Sequence, residues 1–186
     1  MEQIDPRRLL VKVSEILQKF KIPYMVTGGM AVFVWGRPRF TADIDIVVEL
    51  TSATAEKLIP VLRSLSEINY LDENAARDAI NRFGEFNFID GESGIKIDFW
   101  VLKNDLFNQT RLKRRIPKII LGRKVFFISP EDLILTKLLW HKSAGTSRHL
   151  EDAESTLKIS GGKLNIKYLK RWAKKLEVSD VLSKLI

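Results

Sequence analysis

Residues 24–50 read YMVTGGMAVFVWGRPRFTADIDIVVEL, and the way this stretch folds decides the arrangement of the chain. Tyr24–Thr27 is a short, β-prone apolar run, and Gly28-Gly29 predicts a tight turn at its end. Met30–Trp35 has a helix-compatible pattern, which Gly36-Arg37-Pro38 breaks. Phe40–Leu50 then alternates as far as Val47-Val48. On a strand this sends Asp43 and Asp45 to one face and Ile44 and Ile46 to the other. Two carboxylates side by side on one face repel each other, and the usual reason to keep them is a divalent cation.

Outward from this stretch, the spacing of apolar residues gives the remaining elements. Pro6–Phe20 carries Leu9, Leu10, Val13, Ile16, Leu17 and Phe20 at threes and fours, an amphipathic helix. Thr51 or Ser52 caps a helix to about Leu65, which Pro60 is expected to kink or end early. Asp72 opens a second short helix. Glu85–Ile89 and Ile95–Leu102 alternate as strands about the turn Asp90–Gly94. The second of these puts Ile95, Ile97 and Phe99 on one face and Lys96, Asp98 and Trp100 on the other. Asp105–Arg115 is polar and basic, with Arg111, Lys113, Arg114 and Arg115, and Lys118–Ile128 reads as a hairpin about Gly122-Arg123.

From Ser129 the character changes. Ser129 caps, Pro130 occupies the first helical position, and Asp132 completes a capping box, with the helix running to about His141. Further helices are expected from near Ser147 to before Gly161-Gly162, and from Asn165 through Ile166, Leu169, Trp172, Ala173 and Leu176. The expected fold is α+β: a small mixed β-sheet with helices packed on it over residues 1–128, then a helical C-terminal part over residues 129–186.

Composition narrows the chemistry. The 186 residues are 45% hydrophobic and 29% charged, ordinary for a soluble globular chain. No apolar run approaches the roughly 18 residues of a membrane span. Acidic and basic residues interrupt the N-terminus, so no signal-peptide pattern is present. With no cysteine, disulfides, thiolate metal sites and thiol nucleophiles are excluded, and a reducing cytoplasm is the expected location, without a membrane partner. Two histidines, His141 and His149, are too few for a His-rich site, so any metal should be hard and oxygen-bound. The formal charge of +8 suits a polyanionic partner such as nucleic acid or a nucleoside triphosphate, and equally a solvated lysine-rich surface.

The chemical proposal rests on Asp43, Asp45 and Asp98. If their strands lie side by side, the three carboxylates converge at the sheet's edge. Such a set suits Mg2+ or Mn2+, which keep waters and bind substrate phosphates. Two ions about 3.5–4 Å apart clamp the attacking and leaving oxygens of a phosphoryl displacement. Without a Cβ at Gly28 or Gly29 the backbone approaches a ligand closely, and the following helix offers N–H groups to phosphate. Glu85 is the reserve third acid. Arg37 and Arg39 either steer phosphate or solvate the turn. Trp35, Trp140 and Trp172 read as core residues, whereas Trp100, on Asp98's face, is placed to line the pocket.

A hydrophobic run ending in Gly-Gly, a helix, Asp43-Ile44-Asp45-Ile46 and a later strand with one more acid resembles the DNA polymerase beta superfamily of nucleotidyltransferases. Residues 24–50 carry the resemblance closely and residues 95–101 loosely. GGMAVFVWGRPRFTADIDI is most similar to the small prokaryotic members of abortive-infection and toxin–antitoxin systems. Residues 129–177 resemble that group's helical tail, with Lys137 in its first helix and Arg148-x-x-x-Asp152 in its second. The resemblance implies a polymerase-beta-like fold and transfer of NMP from an NTP to a hydroxyl of RNA or tRNA, a protein or a small molecule, with release of pyrophosphate. It implies that Asp43 and Asp45 ligate metal, and that Asp98 holds the catalytic metal and helps deprotonate the acceptor. It also implies that Gly28 and Gly29 cradle the triphosphate and that Lys137 neutralises pyrophosphate. Arg39 and Arg148 join the nucleotide-binding set. The family's usual serine after the first glycine is Gly29 here, which removes a hydroxyl contact but not the backbone cradle. On residues alone, Lys137 is equally a snorkelling lysine and Arg148–Asp152 a plain helix ion pair. The alternative function is an idle member that binds a cognate toxin or antitoxin partner, or nucleic acid.

Overall fold

Alternating apolar residues build one seven-stranded mixed sheet, and 3.6-residue periodicity builds the helices around it. The structure, a computed structural model, describes residues 5–41 and 43–186; Ala42, in the expected strand over Phe40–Leu50, lies outside them. The chain begins with α1 (Pro6–Lys19), β1 (Tyr24–Val26), α2 (Gly28–Trp35), β2 (Asp43–Val48) and α3 (Ser52–Arg63). It continues through β3 (Tyr70–Leu71), α4 (Glu73–Arg82), β4 (Glu85–Ile89), β5 (Lys96–Val101) and α5 (Leu106–Lys113). β6 (Ile116–Ile120) and β7 (Arg123–Phe127) complete the sheet. The tail is α6 (Pro130–Ala144), α7 (Ser147–Ser160), a short 3-10 turn at Gly161–Lys163, α8 (Ile166–Lys175) and α9 (Ser179–Leu182).

The strand order is β3-β4-β5-β2-β1-β7-β6, which puts β5, β2 and β1 in the middle. β2 runs parallel to β5 and antiparallel to β1, while β1 runs parallel to β7. The starts of β2 and β5 therefore share one end of the sheet with the end of β1. Ile44 and Ile46 are buried, as are Ile97 and Phe99 beside them, so the alternation in the sequence sets which face is core. One buried cluster spans the sheet with α1 to α4; a second joins α6, α7, α8 and α9 with Phe107 of α5.

Several expectations change. Gly28-Gly29 is not a separate turn: it is the first turn of α2, with Thr27 at the cap and Gly28 at φ +60°. Pro60 does not end α3, which runs on to Arg63. The hairpin after β6 turns at Leu121-Gly122, both at positive φ, one residue earlier than expected. α5, α9 and the two-residue β3 carried too few periodic positions to stand out. Ser129 does accept from the Asp132 N–H, but its hydroxyl donates in turn to Asp132 Oδ2 at 2.7 Å, so the acid is bound to the cap's side chain. The basic run 111–115 does not form a charged surface. Arg114 pairs with Glu131 and Asp132 and lies over the Tyr168 ring. Arg111 donates to Thr136, and Arg115 to the Leu112 carbonyl.

Candidate active site

Register places the acids. Asp45 pairs directly with Asp98 and Asp43 with Lys96, so four ionisable side chains share one patch of the sheet face. The patch lies at the starts of two central strands rather than at a sheet edge. Nor do the carboxylates converge: among the described residues no three Asp, Glu, His or Cys side chains form a ready metal site. Lys96 Nζ stands 2.8 Å from Asp98 Oδ2 and 3.7 Å from Asp43 Oδ2, and the hydrogen bond to Asp98 raises its pKa. Asp45 turns instead toward Trp100, whose Nε1 donates to it at 3.4 Å. Burial raises the Asp45 pKa, and the neighbouring charges of Asp98 and Asp43 add to the effect. Asp98 is buried, and its Oδ1 has no hydrogen-bond partner. Glu85 is exposed, opposite Trp100, and takes no part.

The glycines are packed from below. A Cβ on Gly28 would stand 1.8 Å from Asp45 Oδ2, and one on Gly29 would stand 2.5 Å from Thr41 Oγ1. The pair is thus required by the side chains that β2 and its approach press against α2. The first N–H groups of a helix have no intrahelical acceptor. The Thr27 side chain does not cap them, and its buried hydroxyl has no partner.

The tail supplies the opposite charge. Buried residues run unbroken from Pro130 to Leu138 in α6, and Lys137 among them is only 2% exposed. It does not snorkel; its Nζ meets Asp152 Oδ2 at 2.9 Å and lies 5.0 Å from the Trp140 ring centroid. Asp152 does not pair with Arg148. It accepts a two-pronged bond from Arg39, Nε to Oδ1 and Nη2 to Oδ2, each 2.8 Å. Burial pushes the Asp152 carboxyl up, but the bonds from Arg39 and Lys137 outweigh this and hold it below its ordinary value. Lys137 is pulled down by burial, with Asp152 opposing. Arg148 reaches the Phe40 carbonyl at 3.4 Å, and Arg37, exposed, donates its backbone N–H to Ser155 Oγ.

A cavity of about 280 Å3 opens between the acidic and basic groups. Gly28, Gly29, Arg39, Asp43, Asp45, Lys137 and Arg148 line it, together with Phe40, Thr41 and Trp140. Asp98 does not line it but stands one strand over. Sequence reasoning missed three contributors. Asp152 was assigned to a local pair because its i,i+4 spacing to Arg148 was the visible signal, and only tertiary placement shows its true partners. Lys96 was legible as a cation on the acids' face. Trp140, read as core, is half-buried on the cavity wall.

Comparison with known proteins bears on the family and the fold. The family model described as nucleotidyl transferase AbiEii toxin, Type IV TA system, matches residues 9–173. No curated protein matches the chain in sequence. Among solved structures, the antibiotic-resistance factor ANT(2'')-Ia is 16% identical with a TM-score of 0.59, covering 91% of this chain and 94% of its own. The lincosamide antibiotic adenylyltransferase LnuA, bound to lincomycin, is 17% identical with a TM-score of 0.55, covering 84% and 98%. An antigenic nucleotidyltransferase-like protein from Paracoccidioides brasiliensis is 19% identical with a TM-score of 0.53, covering 82% and 75%. At these identities the structures share a fold with this chain, and the family match carries the rest: the chain belongs to the AbiEii nucleotidyltransferase toxin family.

Proposed function

We propose that this nucleotidyltransferase moves NMP from a metal-bound NTP to a hydroxyl, releasing pyrophosphate, as the toxin of a toxin–antitoxin pair. The observation that carries this reading is the polarity of one cavity. Asp43 and Asp45 line it together with Lys137, Arg39 and Arg148. A triphosphate carrying divalent cations has the complementary polarity. The acids suit such ions by chemistry: all donors are oxygen, Asp98 Oδ1 is buried without a partner, and burial, with the charges of Asp98 and Asp43, pushes Asp45 toward its neutral form. When bound, Mg2+ or Mn2+ held by Asp43, Asp45 and Asp98 would neutralise phosphate charge and acidify the attacking hydroxyl.

The chain's own groups supply the rest. The uncapped N-terminus of α2 directs N–H groups toward phosphate. Lys137, held in place by Asp152, stabilises negative charge on the leaving group, and its burial makes that charge more effective than it would be in water. Arg39 is fixed by the same carboxylate, so both cations stand aligned before the nucleotide arrives. Asp98 would help take the acceptor's proton, the role the family resemblance gives it. Residues 1–128 thus act as the metal-binding core and residues 129–186 as the phosphate-binding helical part. RNA is the acceptor class suited to a chain of net charge +8. The lincosamide antibiotic adenylyltransferase LnuA named above, solved with lincomycin bound, keeps small molecules in the comparison.

The test is label transfer from each radiolabelled NTP, with Mg2+, to RNA, protein and small-molecule acceptors. The expected result is transfer abolished by Asp43→Ala combined with Asp45→Ala. Transfer that survives this double change would reject the site.

A further inference from the structure

We infer that Lys96 is a resident counter-ion: its ammonium occupies the acidic patch in the metal-free protein and must leave when a divalent cation binds. The inference rests on the metal-binding reading above and deepens it. Three carboxylates stand on two adjoining strands, and among the described residues the register puts one cation between them on the sheet face. That cation is Lys96, in register with Asp43 and two residues before Asp98 on the same strand. Its Nζ reaches Asp98 Oδ2 at 2.8 Å and Asp43 Oδ2 at 3.7 Å, so one ammonium joins the two strands that bear the acids. Lys137 cannot serve in its place, because Asp152 holds it at 2.9 Å.

The arrangement of the acids follows from this. With Lys96 holding Asp98 and Asp43, and Trp100 holding Asp45, no three carboxylates face a common point. A divalent cation therefore has to displace an ammonium from two ligands, and Asp98 and Asp43 must turn away from it. The lysine is suited to leaving. Its side chain is about one-third exposed, and its four-carbon stem lets the ammonium swing into water while the strand stays fixed. Lys96 is thus a positioning residue. It balances the charge of Asp98 and Asp43 when no metal is present, and it weakens metal binding by competing for the same oxygens.

Isothermal titration with Mn2+ alone, at fixed ionic strength, tests this on the full chain. The variants are Lys96→Met, Lys96→Arg and Asp43→Ala, with thermal unfolding followed in parallel. Lys96→Met is expected to bind Mn2+ about tenfold more tightly, the effect of removing two partly buried ion pairs. It should melt below the wild type without metal and recover at saturating Mn2+. Lys96→Arg, which keeps the charge, should bind close to wild type. Equal or weaker Mn2+ binding in Lys96→Met, with binding still lost in Asp43→Ala, would overturn the counter-ion role and leave the metal site standing. Mn2+ binding absent from both wild type and Lys96→Met would overturn the metal site itself, and the counter-ion with it.

Discussion

Gly28 has two properties that no other residue supplies together. Its backbone is left-handed, at φ +60°, and its α-carbon faces the Asp45 carboxylate with no room for a methyl group. Gly28→Ala should therefore destabilise the fold by about 1–2 kcal/mol from backbone strain alone. It should also push Asp45 out of place and lower NMP transfer about a hundredfold, the loss typical of one misplaced electrostatic group. Thermal unfolding beside label transfer measures both. Asp152 is the second decisive residue. Asp152→Ala leaves Lys137 buried without its carboxylate, which should destabilise the protein by about 3 kcal/mol. The Asp152 carboxyl is held below its ordinary value in the folded state, chiefly by the hydrogen bonds from Arg39 and Lys137. Its contribution to stability is therefore complete above that value and lost as pH falls through the lower folded value. Acid unfolding of Asp152→Ala should be less pH-dependent than wild type in that range. The acids and glycines of this site were legible because strand alternation and paired glycines are local patterns. Asp152 was not, because its partners lie 113 and 15 positions away in sequence and its nearest helical neighbour offered a plausible pair.

At the scale of elements, α5, α6 and α8 are joined through one buried acid. Asp132 accepts from the Ser129 hydroxyl, from Tyr168 Oη at 2.6 Å and from Arg114 Nε at 3.1 Å. Burial, together with the bond to Asp132, raises the Tyr168 pKa well above the ordinary phenol range. Hydrogen bonds to a charged group are worth about 1.5–3 kcal/mol. Tyr168→Phe should lose about 1.5 kcal/mol in denaturant unfolding while leaving nucleotide binding intact, because the network lies apart from the cavity. Equal stability of the two proteins would show that the bond contributes nothing net. This network also turns Arg114 of the basic segment inward, through its pairing with Glu131 and Asp132. Elements with clear periodicity were read to within a few residues. β3, α5 and α9, at two, eight and four residues, were set by tertiary packing.

At the scale of the molecule, the site is assembled across the boundary between the sheet and the helical tail. Arg39, between α2 and β2, is forked to Asp152 in α7. Trp35 Nε1 donates to the Ile128 carbonyl and Ser160 Oγ to the Trp35 carbonyl. These ties predict that sheet and tail unfold together. Far-UV circular dichroism and tryptophan fluorescence should give coincident thermal transitions, and two separated transitions would contradict the coupling. The same assembly carries the central claim, that an acidic strand end and a basic helical clamp hold one nucleotide between them. A crystal structure with Mn2+ and a non-hydrolysable NTP tests it most directly. The account predicts anomalous density for Mn2+ among Asp43, Asp45 and Asp98, with Lys96 turned away and the terminal phosphates against Lys137 and Arg148. Nucleotide or metal bound elsewhere on the molecule, with the Lys96–Asp98 pair intact, would contradict it.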